Sequence, residues 1–293
     1  MHVFVTGATG WVGSAIVADL IAAGHQVTGL SRTAEKGLAL GAAGARVLRG
    51  SLAEVDVLAE AAASADAVIH TAFDFSNFPA GAGEDRRAIE AMGRALEGSK
   101  RPMLVTSGLA KIASGRLVTE RDKPDANFAR QSEAAAEVVR ERGGRIATIR
   151  LAPSVHGVGE THGFVPYLIG LAKRTGVSAY IGDGANRWAG VHRLDAARLY
   201  RLALEQGITE TAYHAAADEG VPFREIAAVI GRVLGVPIEP RDREHFGWLA
   251  DFAAEDMAAS SERTREVTGW KPSGPDLLSD IAQPGYYAPL FLR

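Results

Sequence analysis

Residues 2–13 read HVFVTGATGWVG: a strand-like run, then glycines at 7, 10 and 13, then the start of a segment in which Val12, Ile16, Val17, Leu20 and Ile21 share one helical face. A strand that turns directly into a helix through glycines is a narrow structural choice. Without Cβ atoms the turn can approach a ligand closely, and the helix start offers free N–H groups and a partial positive charge. Both properties suit a pyrophosphate, and the third glycine lets helix and strand pack tightly. On this reading Gly7, Thr9, Gly10, Trp11, Val12 and Gly13 hold the phosphates of a dinucleotide. The alternative is a tight turn between packed elements that binds nothing.

The rest of the first half repeats the alternation of strand and helix. HVFVT (2–6), QVTGL (26–30), RVLRG (46–50), AVIHT (67–71), MLVTS (103–107) and IATIRL (146–151) are near-continuous apolar runs. Such runs suit strands covered on both faces, so the pattern predicts an α/β fold with a parallel sheet. Beyond residue 152 it loosens, with helices expected near 163–175, 194–206, 222–235 and 242–258. The chain has 293 residues, 47% hydrophobic and 23% charged, with a net charge of -3. That length supports one large or two modest domains, and the balance argues against general binding to nucleic acid or anionic membranes. There is no cysteine, which excludes disulfides, thiolate metal sites and a cysteine nucleophile. No run suits a membrane span and the N-terminus lacks a signal-peptide pattern, so a cytoplasmic location is expected.

The segment VTGATGWVGS closely resembles the short-chain dehydrogenase/reductase superfamily in its extended, epimerase/dehydratase-like branch. The likeness continues through AVIHTAF (67–73), MLVTSG (103–108), IRLAPSVHG (149–157), AGVHRLDAARLY (189–200) and TGWKPS (268–273), and so spans nearly the whole chain. It implies a doubly wound Rossmann sheet with a smaller C-terminal substrate domain. Residues 1–152 would form the dinucleotide-binding domain, joined again by about 189–215, and residues 153–188 and 216–293 the substrate domain. It also implies a homodimer through helices at about 84–98 and 127–142.

An NAD-selecting site usually has a carboxylate at the end of the second strand. Here Ser31 and Arg32 stand there, and a guanidinium suits a 2′-phosphate, so NADP(H) is the expected cofactor. A solvated surface arginine is the alternative. Ser51 and Leu52 replace the family's Asp-Leu pair near the adenine, though Ser51 with Glu54 also reads as a capping box. The resemblance places Thr71, Ala72 and Phe73 beneath the cofactor. It likewise puts Thr106, Ser107, Ala152, Pro153 and Val155 against it.

The family's proton chemistry uses a serine, a tyrosine and a lysine four residues after the tyrosine. Aligning QSEAAAE on that helix puts Ala129 in the tyrosine's place and Glu133 in the lysine's, with Arg130 between them. Gly108 falls where the serine usually sits, and none of the six tyrosines has a lysine four residues on. Three side chains remain as candidates for catalysis. Asp74, beyond the fourth strand, can act as an acid if desolvated, or simply cap the next helix. His156 titrates near neutrality, or is a loop histidine bonded to backbone. Ser107 can hydrogen-bond a substrate carbonyl, or close its strand.

For the substrate, residues 181–188, 245–252 and 285–291 are expected to build a pocket lined by Trp188, Phe246, Trp248, Phe252 and Phe75, with Arg187 as its cation. The reading that follows is an NADP(H)-dependent oxidoreductase acting on a small carbonyl, enone or imine. A non-catalytic NADP(H) redox sensor stays open, and a nucleotide-sugar epimerase or dehydratase is disfavoured.

Overall fold

The computed structural model describes residues 1–113 and 115–291. Its strands are β1 (His2–Thr6), β2 (Gln26–Ser31), β3 (Arg46–Arg49), β4 (Ala67–His70), β5 (Met103–Gly108) and β6 (Ile146–Leu151). They continue with β7 (Ser154–His156), β8 (Ser178–Tyr180), β9 (Arg187–His192), β10 (Ala212–Ala215), β11 (Asp218–Pro222) and β12 (Ile238–Pro240). The helices are α1 (Trp11–Ala22), α2 (Ala34–Ala42), α3 (Val55–Ala63), α4 (Phe78–Ala95), α5 (Ser132–Glu141) and α6 (Phe164–Thr175). After them come α7 (Arg193–Glu205), α8 (Phe223–Leu234), α9 (Ala250–Ala253), α10 (Glu262–Thr268), α11 (Leu277–Ile281) and α12 (Pro284–Phe291).

The main sheet has seven parallel strands in the order β10-β6-β5-β4-β1-β2-β3. Alternate residues of β1 feed opposite layers, as strand geometry requires. Val3 and Val5 pack with Ile16 and Leu20 of α1 and Leu199 of α7, whereas Phe4 packs with Leu58 of α3, Ile89 of α4 and Val139 of α5. Helices on both faces explain the unbroken apolar runs, and β3, at the sheet's edge, is the exposed exception. The strand order reverses between β1 and β4, so a crevice opens above their C-terminal ends. That is where open α/β sheets take their ligands.

A second layer holds the three-stranded sheet β11-β9-β7, the pair β12-β8, and a core of α6, α8, Trp188, Phe246 and Leu277. Residues 187–192 belong to this small sheet. The chain rejoins the main layer with α7, and β10 adds its seventh strand. The single helix expected over 242–258 does not form. Gly247, at φ 54° and ψ -129°, divides a 3-10 segment (Arg243–Leu249), α9 follows it, and Met257 then bridges to Trp188 like a strand residue.

Candidate functional site

The glycine turn has three different glycines. Gly7 adopts φ 66°, and a Cβ on it would lie 2.7 Å from the Ala72 amide nitrogen. A Cβ on Gly13 would lie 2.1 Å from the Gly7 carbonyl oxygen, so these two glycines serve packing. Gly10 is exposed, and a Cβ there would meet only that same oxygen, at 3.1 Å. Its open side faces whatever approaches α1. The first turn of α1 has no capping side chain and no acidic residue. Among the described residues, the N–H groups of Trp11, Val12 and Gly13 have no hydrogen-bond partner. Three unpaired donors at an open helix start fit a phosphate, so the turn matches the dinucleotide cofactor that its sequence implies. Trp11 ties the turn to β7 through an indole N–H bond to the Val155 carbonyl (2.6 Å). Arg193 stacks on that indole at 3.9 Å and donates to Ser14 Oγ at 2.9 Å. Arg193, which no motif in the sequence singles out, thus adds a guanidinium beside the glycine turn.

At the end of β2, Ser31 and Arg32 part company. Ser31 is buried and its hydroxyl donates to the Thr33 carbonyl at 3.0 Å, which corrects the expectation that it offers a cofactor contact. Arg32 is exposed, and its guanidinium has no hydrogen-bond partner among the described residues. Arg49 of β3 donates to the Arg32 carbonyl at 3.4 Å, so a second guanidinium lies close by. Glu54 accepts from both the Ser51 amide (2.7 Å) and its hydroxyl (3.0 Å), as a capping box would, but α3 begins only at Val55. Leu52 is buried beside Leu58 in the core under β2 and β4.

At the crevice, Thr71 follows β4 and donates to the Thr6 carbonyl at 2.8 Å, with Ala72 and Phe73 half-buried after it. Thr106 does not face a ligand. Its hydroxyl donates to the His70 carbonyl (2.8 Å) and lies 2.7 Å from the Tyr200 hydroxyl, all in the interior. Ala152 is buried, and Pro153 is half-buried beside it.

The three catalytic candidates are not brought together. Asp74 Oδ1 accepts from the Ser76 hydroxyl (2.7 Å) and amide (2.9 Å) in a local turn. Those bonds, the side-chain one first, hold its carboxyl below the usual range with help from Arg32, the opposite of what an acid catalyst needs. His156 is fully buried, with Nδ1 2.8 Å from Asp280 and Nε2 3.9 Å from Asp218. The interior position of β7 removes it from the crevice. Ser107 is half-exposed at the end of β5, where its hydroxyl donates to Glu133 at 3.0 Å.

Glu133, expected from the sequence to stand in the lysine's place, is gripped by Arg150 of β6 through two bonds of 2.8 Å, and Arg150 also reaches His214 and the Asp122 carbonyl. Glu133 is thus a carboxylate whose charge a buried arginine balances. Arg150 was visible in IATIRL as a charge inside an apolar strand, which calls for an acidic partner. A second network lies between β4, α4 and α5. Asp85 accepts from Ser132 Oγ at 2.6 Å and pairs with His70 Nε2 at 3.2 Å, and His70 Nδ1 lies 2.7 Å from Thr6 Oγ1. Burial pushes the Asp85 carboxyl up, but the His70 bond and the charges of His70 and Arg130 outweigh it, and the net shift is downward. Arg130 donates to Ser132 Oγ (2.9 Å) and to the Thr106 carbonyl (2.8 Å), and its guanidinium lies 4.2 Å over the Phe73 ring.

The substrate residues sort by environment. Trp188 and Phe246 are fully buried core, which corrects their expected place in the pocket lining. Arg187 is held by Asp256 through bonds of 3.0 and 2.8 Å, so it is not a free cation. Trp248 and Phe75 are exposed and Phe252 is half-buried against Phe164. Among the described residues, no helix is long and apolar enough to cross a membrane, and no cluster of His, Asp and Glu is arranged to hold a metal.

Residues 7–154 match the model of a family described as NAD(P)H-binding. The chain is 44% identical to an uncharacterized protein of Schizosaccharomyces pombe, over 98% of this chain and 100% of the relative. A ketoreductase of Stigmatella aurantiaca is 25% identical, over 82% of this chain and 75% of its own. Among solved structures, MoeE5 in complex with UDP-glucuronic acid and NAD superposes with a TM-score of 0.74 at 20% identity, over 98% of this chain and 99% of that one.

Proposed function

Because the chain belongs to the NAD(P)H-binding family and shares its fold with NAD-binding epimerase and dehydratase structures, we propose that it is an NADP(H)-dependent oxidoreductase of the extended short-chain dehydrogenase/reductase type, acting on a small carbonyl, enone or imine. One observation carries the reading: at the open start of α1, packed beside Thr71 and Ala72, three N–H donors have no partner among the described residues. The amides of residues 11–13 hold the diphosphate, and Arg32 takes the 2′-phosphate that a carboxylate would repel. When bound, a reduced nicotinamide supplies a hydride. The protein's part is to orient the acceptor and to stabilise charge, with water delivering the proton, since Asp74 is held ionised and His156 is buried. The ketoreductase name of the Stigmatella relative agrees with a carbonyl acceptor.

Calorimetry with NADP⁺, NADPH and NAD⁺, followed by NADPH consumption against ketones, enones and cyclic imines, tests the proposal. Tight NADPH binding with turnover on one of these classes is expected. No association with either nucleotide overturns the reading, and tighter NAD⁺ overturns the role of Arg32. Tight NADPH binding without any turnover favours the redox sensor.

A further inference from the structure

Arg130 stands out among the buried charges because its bonds do not use it up. Nε goes to Ser132 and one Nη2 bond to the Thr106 carbonyl, and Asp85 lies 3.6 Å from Nη2 as counter-charge. Nη1 has no hydrogen-bond partner among the described residues, while the side chain keeps 12% of its surface exposed. The ring beneath the guanidinium is Phe73, three residues beyond the end of β4. Arg130 also directly follows Ala129, the residue aligned with the family's missing tyrosine.

The surroundings are aromatic. Phe73 lies 4.6 Å from Phe75 and 5.2 Å from Phe78, and Phe78 lies 5.8 Å from Phe128, centroid to centroid. Phe75 is 71% exposed, so this cluster reaches solvent next to the charged group instead of closing over itself. A guanidinium with a spare donor beside open ring faces suits a planar apolar body that carries an electron-rich oxygen.

We propose that Arg130, seated on Phe73, holds the oxygen of the substrate's reacting group, and that this oxygen is borne on an aromatic or similarly flat apolar body. This deepens the oxidoreductase reading and rests on it. In a carbonyl reduction the hydride from the reduced nicotinamide adds to carbon, the C=O electron pair moves onto oxygen, and a proton from water completes the hydroxyl. Arg130 acts on the second of these events. Its own proton stays in place, because a guanidinium paired with a carboxylate is a source of charge and not an acid.

The test uses benzoate, whose carboxylate mimics the charged oxygen, titrated by calorimetry into the full-length protein with and without NADP⁺. Benzoate is expected to bind the wild type, about tenfold or more weakly to Arg130→Met, and with intermediate affinity to Arg130→Lys. Phe75→Ala, at an exposed position, is expected to lower affinity without unfolding the chain. NADPH affinity should change less than about twofold in all three. Benzoate binding to Arg130→Met or Arg130→Lys at wild-type strength overturns the assignment, as does no binding to a wild type that takes NADPH normally. If Arg130→Met does not fold, the other two variants decide. A wild type that binds benzoate through Arg130 but takes no NADPH overturns the oxidoreductase reading and leaves the anion subsite standing.

Discussion

Arg32 and Ser31 are neighbours with opposite fates, and the difference is one of side-chain length and strand parity. Ser31 ends β2 pointing inward, where a short hydroxyl finds the Thr33 carbonyl, and Arg32 points outward into solvent. Charge-assisted bonds to a phosphate are worth about 1.5–3 kcal/mol, so Arg32→Ala is expected to weaken NADPH roughly 10- to 100-fold while NADH changes little. Parallel titrations of the two nucleotides measure this, and an equal loss for both would remove Arg32 from cofactor selection. The strand–glycine–helix turn was legible in the sequence because glycine spacing after an apolar run marks it, although the close neighbours of Gly7, Thr71 and Ala72, lie far along the chain. The acid–base assignments were not. Nothing in HTAFDF shows that Ser76 closes a turn on Asp74, and nothing in APSVHG shows that Asp280, far along the chain, buries His156.

Helices α4 and α5 are held at close range by a glycine. A Cβ on Gly93 would lie 2.3 Å from Val139 Cγ2, so the valine side chain or the helices would have to shift. The pair also aligns Asp85 of α4 with Ser132 of α5, on which Arg130 depends. Gly93→Ala is expected to destabilise the protein by about 1–3 kcal/mol through overpacking, despite alanine's better helix propensity. Val139→Ala should then cost less in the Gly93→Ala background than in the wild type. Denaturant unfolding of the four proteins gives the coupling, and additive costs would show that the close approach is not what the glycine serves. Apolar periodicity found most elements, and it failed at 242–258. There the aromatic spacing looks helical, but Gly247 takes a backbone conformation that no helix contains.

Across the whole molecule, the C-terminal α12 is fastened by a bond from the Tyr286 hydroxyl to Glu160, in the loop that leads into α6. Burial pushes the Glu160 carboxyl up to about 8, with the Tyr286 bond opposing and the charge of Asp280 adding to the rise. The folded state therefore holds this proton more tightly than the unfolded chain, whose carboxyl titrates near 4.5. The resulting stability is complete below that ordinary value and is lost as pH rises through about 8. Unfolding free energy is expected to fall across that window, and Glu160→Gln to flatten the fall. An unchanged slope in the variant would place its origin elsewhere. The sequence by itself determined the parallel α/β architecture and the glycine turn that opens α1, because both follow from apolar period and glycine placement. Only the tertiary structure decided which charges remain available. Glu133 meets Arg150, Arg187 meets Asp256 and His156 meets Asp280 across the chain, and Arg130 Nη1 meets no partner among the described residues. Pairing of buried charge depends on which elements pack together, which local sequence does not encode.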